Sequence, residues 1–159
     1  MSEMHIKALE QVLGQQMETD GKGTYVVTLD GIPLLLRFVE AEELFLLHIE
    51  IGYAQTAGGI VHTRLLGANF LLSETGGAAL SLNTQSGMVA LEMPLSVAGK
   101  LPEFFVEQVE HFVNLADIWT QRLKEWNEQA CEQVSAKLND LMQEATIPTD
   151  VQNIQIFRA

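Results

Sequence analysis

The chain has 159 residues, 47% of them hydrophobic, which suits a single domain with one sizeable core. Nine basic residues against 21 acidic ones give a formal charge of -12 and a pI of about 4.6. Such a surface repels phosphate backbones and anionic lipid, so no nucleic-acid partner and no membrane insertion are expected. No apolar run approaches the roughly 18 residues of a membrane span, and Met1-Ser2-Glu3 lacks the basic and then hydrophobic start of an export signal. A cytoplasmic protein is expected, and the lone Cys131, with no second cysteine to pair with, fits a reducing compartment.

Ile6, Leu9, Leu13 and Met17 recur at spacings of three and four, which predicts an amphipathic helix over about residues 3 to 17, ending before Asp20-Gly21. From Tyr25 to Leu29 the composition turns β-branched and aromatic. Asp30-Gly31 supplies the positive φ angles of a two-residue hairpin, and Pro33 to Val39 returns. After the polar Glu40–Glu43, Phe45, Leu47, Ile49 and Ile51 alternate with Leu46, His48 and Glu50 in a third strand. Gly58-Gly59 opens a helix to about Leu72. Val61, Leu65, Ala68 and Leu72 line one side of it, while Leu66, Phe70 and Leu71 widen its apolar surface. A helix apolar on two sides is a candidate for contact with a partner subunit.

Gly76-Gly77 then breaks the chain, and Ala78–Leu82 and Val89–Leu95 flank a turn-rich loop as a second hairpin. From Phe105 a stripe of Val109, Phe112, Ala116, Trp119, Leu123 and Trp126 predicts the strongest helix, with Pro102 and Glu103 in its first turn. The stripe continues through Ala130, Val134, Leu138 and Leu141, and its length predicts a bend or break near Asn127. The division expected is a domain over residues 1–127 and a helical extension and tail over 128–159. Residues 146–159, with Pro148, are expected to be loosely ordered unless Ile154, Ile156 and Phe157 dock somewhere.

Catalytic chemistry is not announced. His5, His48, His62 and His111 are scattered, with no HExxH or HxxxH spacing, so no metal is expected. Ser73-Glu74-Thr75-Gly76-Gly77 reads as a helix stop rather than a nucleophile loop. Neither GxxxxGK[ST] nor GxGxxG occurs, and Glu40, Glu42, Glu43, Glu103, Glu107 and Glu110 read as solvated surface. No enzyme activity and no cofactor are expected; binding remains.

Three stretches carry a family resemblance: Leu65-Leu66-Gly67-Ala68-Asn69-Phe70; Gly76 to Asn83 followed by Ser86-Gly87 and Val89-Ala90-Leu91; and Phe112-Val113 with Ala116, Trp119 and Leu123. Over about residues 3 to 127 the chain resembles the CesT/SycE-like (class I) type III secretion chaperones. It departs from that pattern at Gly67 and Asn83. The resemblance implies an α+β fold in the order α-β-β-β-α-β-β-α with a twisted antiparallel sheet, here with a C-terminal helical extension. It also implies a homodimer joined through Leu65, Leu66, Asn69, Phe70, Leu80 and Leu82. The function implied is binding of the N-terminal region of one or a few secreted effectors, held extended and soluble without ATP hydrolysis. An extended segment would be captured by apolar grooves and sheet edges, with Leu9, Leu13, Met17, Leu34, Leu36 and Phe45 as candidate contacts. The same six residues are equally suited to fill the core. Alternatives are a cytosolic regulator or adaptor of the same fold and, from another class, a small-molecule sensor or enzyme with a closed polar pocket.

Overall fold

A computed structural model describes residues 2–55 and 59–144; Gly58 and the tail 146–159 discussed above lie outside these. Helix α1 (Ser2–Leu13) is followed by strands β1 (Glu18–Thr19), β2 (Thr24–Leu29), β3 (Ile32–Val39) and β4 (Leu44–Tyr53). Helix α2 (Ile60–Ala68), strands β5 (Ala79–Leu82) and β6 (Met88–Ser96) and helix α3 (Pro102–Glu144) complete the order. The six strands form one antiparallel sheet in the order β1-β2-β3-β4-β6-β5. The expected α+β fold is therefore present, with one short strand, β1, added at the sheet's edge.

Period-two alternation divides the sheet into two faces. On the inner face Val27, Leu34, Ile49, Leu91 and Leu80 form one cross-strand row, and Leu36, Leu47 and Met93 form the next. All of these are buried beneath α1 and α3, which supply Ile6, Leu9, Phe105, Val109, Phe112, Ala116, Trp119 and Leu123. Phe45 packs on Phe105 with ring centroids 4.8 Å apart. At the junction of the two helices the buried His5 ring meets Phe105 edge-on at 5.5 Å, and its Nε2 lies 3.3 Å from the Lys100 carbonyl oxygen.

The turns follow their sequence chemistry. Asp30 and Gly31 take φ of 48° and 84°, the two positive values a tight hairpin requires. Helix α1, however, stops at Leu13 rather than at residue 17. Gly14 adopts φ 67° and its N–H closes on the Glu10 carbonyl, a left-handed C-cap. Met17 is still buried, beyond the helix, with its N–H donated to the Glu10 carboxylate at 2.8 Å.

Two further expectations are corrected. Helix α2 ends at Ala68, and Phe70–Leu72 form a separate 3-10 turn in which Leu71 and Leu72 hold φ of 57° and 53°. Helix α3 runs without a break through Asn127 for 43 residues, about 65 Å at the α-helical rise. Asn127 instead fastens it to the sheet: its Nδ2 donates to the Tyr53 carbonyl at 2.7 Å and its Oδ1 accepts the Gln55 N–H at 2.9 Å. Among the described residues the last buried one on the helix is Ala130. Among the described residues no helix is long and apolar enough to cross a membrane.

Candidate partner-binding surfaces

Helix α2 turns Val61, Leu65 and Ala68 into the core and leaves Leu66 on its outer side. Four residues after Leu66, the 3-10 turn exposes Phe70 and Leu71 as well. Leu66 is 74% exposed, Phe70 73% and Leu71 80%, an unusual concentration of large apolar side chains facing solvent. The left-handed backbone at Leu71 and Leu72 costs roughly 1–3 kcal/mol per residue for side chains of this kind. Strain of this kind persists where it is offset elsewhere, and here it presents Leu71 outward.

Beside this patch lies the end strand of the sheet, β5. Asn69, directly after α2, directs its carboxamide at the outer edge of that strand. Nδ2 donates to the Leu80 carbonyl and Oδ1 accepts the Leu80 N–H, each at 2.8 Å. One side chain thereby occupies both hydrogen-bonding groups that an added strand would use at that residue. At the opposite end, β1 pairs with β2 through Glu18↔Val26 and Thr19↔Tyr25. Asp20 donates its N–H to the Thr24 carbonyl, and the antiparallel alternation then turns the N–H and C=O of Thr19 away from β2. Among the described residues no strand pairs with the outer edge of β1.

The turn holding β1 is closed by Asp20, whose Oδ1 accepts the N–H groups of Lys22 at 2.7 Å and Thr24 at 3.0 Å. These donors, Lys22 first, hold the Asp20 carboxyl below its ordinary value. On the outer face of the sheet a groove of about 400 Å³ is lined by Leu35, Arg37, Leu46, His48, Glu92 and Pro94. His48 Nδ1 and Glu92 Oε1 are 3.1 Å apart on its rim. Among the described residues no group of His, Cys, Asp and Glu is arranged to hold a metal ion.

The residues singled out from sequence are distributed unevenly. Of the dimer candidates, Leu66 and Phe70 are exposed, whereas Leu65 and Leu80 are buried within the chain, Leu82 is half-buried, and Asn69 is engaged with Leu80. Of the groove candidates, Leu9, Met17, Leu34, Leu36 and Phe45 belong to the core, leaving only Leu13, half-buried at its margin, within reach of a partner in this conformation. Strand alternation marks which side chains share a face, but the same apolar face suits a client or a covering helix, and α1 and α3 cover this one. Sequence reading missed the β1 edge, because two residues carry no periodicity. It also missed the role of Asn69, because its partner lies eleven positions on with no local signal.

An antiparallel sheet roofed by two helices on one side, with an exposed apolar patch and a strand edge unpaired among the described residues, is an architecture suited to binding another polypeptide. Residues 5–120 match the Tir chaperone protein (CesT) family, and the chain belongs to that family. Several solved structures share the fold. The ExsC–ExsE complex matches with a TM-score of 0.65 and 16% identity over 75% of this chain and 90% of that one. The HopA1–SchA chaperone–effector complex matches with a TM-score of 0.60 and 21% identity over 78% and 93%. The ExoU–SpcU complex of the Pseudomonas aeruginosa type III secretion system matches with a TM-score of 0.58 and 17% identity over 78% and 98%. No curated protein matches the chain in sequence.

Proposed function

We propose that the chain acts as a homodimer that holds the N-terminal segment of one or a few secreted effectors extended and soluble in the bacterial cytoplasm, for delivery to the type III apparatus and without catalysis of its own. The observation that carries this reading is the asymmetry of the two sheet edges. The β5 edge is closed at Leu80 by Asn69 and bordered by exposed Leu66, Phe70 and Leu71, which suits side-chain packing against a second copy. The β1 edge has no strand partner beyond β2 among the described residues, with the N–H and C=O of Thr19 turned outward, which suits backbone pairing with an extended segment.

Backbone hydrogen bonds accept many sequences, and apolar contacts at the margin select among them, so one surface can serve more than one client. Ordering a disordered segment costs conformational entropy, which contact with a large surface must offset. Leu9, Met17, Leu34, Leu36 and Phe45 support such a site from beneath, while Leu13 and the β1 backbone meet the client. Residues 1–127 form the binding domain in this reading, and 128–159 an appended extension. The fold relatives seen as a chaperone–effector complex and as an ExoU–SpcU complex lend the reading support.

The test is a tagged pull-down from host cytosol with native mass spectrometry of the eluate. Two copies of this chain holding one secreted protein through its N-terminal segment are expected. A dimer that retains only a small molecule would overturn the proposal.

A further inference from the structure

Helix α2 is poorly equipped to hold itself in place. It has nine residues, fewer than the roughly 12–15 at which an isolated helix becomes even marginal. Gly67 weakens it from within, and Gly59 at its start offers no side-chain cap. Val61, Leu65 and Ala68 reach the core, and the turn that follows carries the left-handed Leu71 and Leu72. The segment nevertheless exposes Leu66, Phe70 and Leu71, and contacts outside it fix its orientation. Asn69 ties its middle to β5. On either side of that clasp it is tied to α3.

On α2, Arg64 lays its guanidinium over the Trp126 ring, 5.7 Å from the centroid, and its Nη1 donates to Gln129 Oε1 at 2.6 Å. Beyond the 3-10 turn, Glu74 meets Arg122 at 3.4 Å, and Arg122 lies 4.5 Å over the Trp119 ring. The two indoles meet edge to face with centroids 5.8 Å apart, so both cations rest on one aromatic platform. Trp119 is 1% exposed, and among the described residues its Nε1 has no hydrogen-bond partner. A buried indole N–H usually has one; here the ring contacts are what the site uses.

We infer that Arg64, Trp126, Gln129 and the Glu74–Arg122 pair are positioning residues for the apolar patch: they brace α2 and the loop after it against α3, and thereby set how tightly two copies associate through Leu66, Phe70 and Leu71. The inference rests on the homodimer reading above. Arg122, Trp126 and Gln129 lie beyond residues 5–120, so the brace draws on the part of α3 that the family match does not span. The physical link is preorganisation, since a patch already held in one orientation loses less entropy on association than one ordered on contact. Arg64 is half-buried, and both its contacts use the planar fork, which a lysine would not supply.

The experiment compares full-length wild type with Arg64→Lys, Arg64→Met, Trp126→Leu and the Arg64→Met/Trp126→Leu double variant. Leu66→Ser with Phe70→Ser serves as the reference that removes the patch itself. Sedimentation across a dilution series reads dimer dissociation, and hydrogen exchange at low concentration reads the isolated protomer. Arg64→Met and Trp126→Leu should each speed exchange of residues 60–69 roughly tenfold and leave residues 105–119 at the wild-type rate. Each should also raise the dimer dissociation constant roughly tenfold. The double variant should go little beyond either single one, because both remove the same contact, and Arg64→Lys should fall between wild type and Arg64→Met. Exchange that quickens equally along α3 marks a general loss of stability and overturns the inference. Wild-type dissociation in Arg64→Met and Trp126→Leu, with a monomeric Leu66→Ser/Phe70→Ser reference, overturns the inference and leaves the homodimer reading standing. A wild-type dimer in the reference itself overturns that reading of the patch, and the inference with it.

Discussion

Asn69 and Leu80 form a two-bond clasp, side-chain carboxamide to backbone amide, that joins the end of α2 to the free edge of β5. Its geometry is that of one step of a strand ladder supplied by a side chain. The two bonds fix the patch bearing Leu66 and Phe70 relative to the sheet and prevent strand addition at Leu80. Asn69→Ala should cost about 1–3 kcal/mol in denaturant unfolding, since two partly buried backbone groups lose their partners, and the Leu80 amide should lose protection in hydrogen exchange. Asn69→Asp keeps the acceptor and loses the donor to the Leu80 carbonyl, so it should also be destabilising at neutral pH. Unchanged Leu80 protection in the alanine variant would show that the clasp is not maintained in solution.

Leu71 gives a prediction in which fold stability and assembly move in opposite directions. Its φ of 57° is one that glycine adopts without strain, and its side chain is 80% exposed. Leu71→Gly should therefore stabilise the isolated protomer, by up to about 1 kcal/mol once the extra entropy of glycine in the unfolded chain is deducted. If the side chain is buried between two copies, the same change should raise the dimer dissociation constant by roughly tenfold or more, from the apolar burial it removes. Sizing across a dilution series reads the second effect, and unfolding at low concentration reads the first. A destabilised protomer with unaltered association would contradict both halves.

Much of this fold is legible because its signals are local. Asp30-Gly31 announces a hairpin with two positive φ values, Pro102-Glu103 announces a helix start, and alternation from Phe45 to Ile51 sorts a strand into two faces. The surfaces are less legible because they depend on which layer covers which face. Leu34, Leu36 and Phe45 lie on an apolar face as read, but α1 and α3 take that face. The end of α1 at Gly14 rather than at residue 17 is a local C-cap that the run of apolar residues masks. The expected break in α3 fails for a physical reason: Asn127, polar and a weak helix former, satisfies its carboxamide on Tyr53 and Gln55 across the helix–sheet contact without interrupting the helix.

Leu66→Asp tests the proposed dimer directly. The side chain is exposed and contributes little to the protomer's own core, so the change should leave the fold intact at low concentration. A carboxylate placed in an apolar interface without a partner is strongly unfavourable, and the product should be monomeric or poorly soluble. A soluble dimer with the wild-type elution volume would remove Leu66 from the interface.

Acid should weaken the anchoring of β1 with a definite sign. Asp20 is held below its ordinary value by the N–H groups of Lys22 and Thr24. Its contribution to the folded state is therefore present above the unfolded-state value of about 3.9 and is lost as pH falls through the lower folded-state value. Wild type should be more stable than Asp20→Ala at neutral pH, and the difference should close as pH drops below about 4. A difference that is constant down to pH 2 would mean that the carboxylate does not carry the effect.

The β1 edge supplies the sharpest separation of client binding from dimer formation. Thr19 turns its N–H and C=O away from β2, and β1 lies at the far end of the sheet from the Leu66 patch. Thr19→Pro removes the outward donor while leaving the inward bonds of β1 to its neighbours. The threonine hydroxyl accepts the Gly21 N–H at 3.1 Å, so Thr19→Val serves as the control that loses the hydroxyl and keeps the backbone donor. If an extended client adds to this edge, the proline variant should bind it at least tenfold more weakly than the valine variant, a loss in keeping with the ~1.4 kcal/mol of one well-made backbone hydrogen bond. Both variants should remain dimers on a sizing column. Equal client affinity in the two would move the client away from β1, to the groove between Leu35, Leu46 and Pro94 on the outer face of the sheet, where Leu46→Asp would then be the variant that loses it.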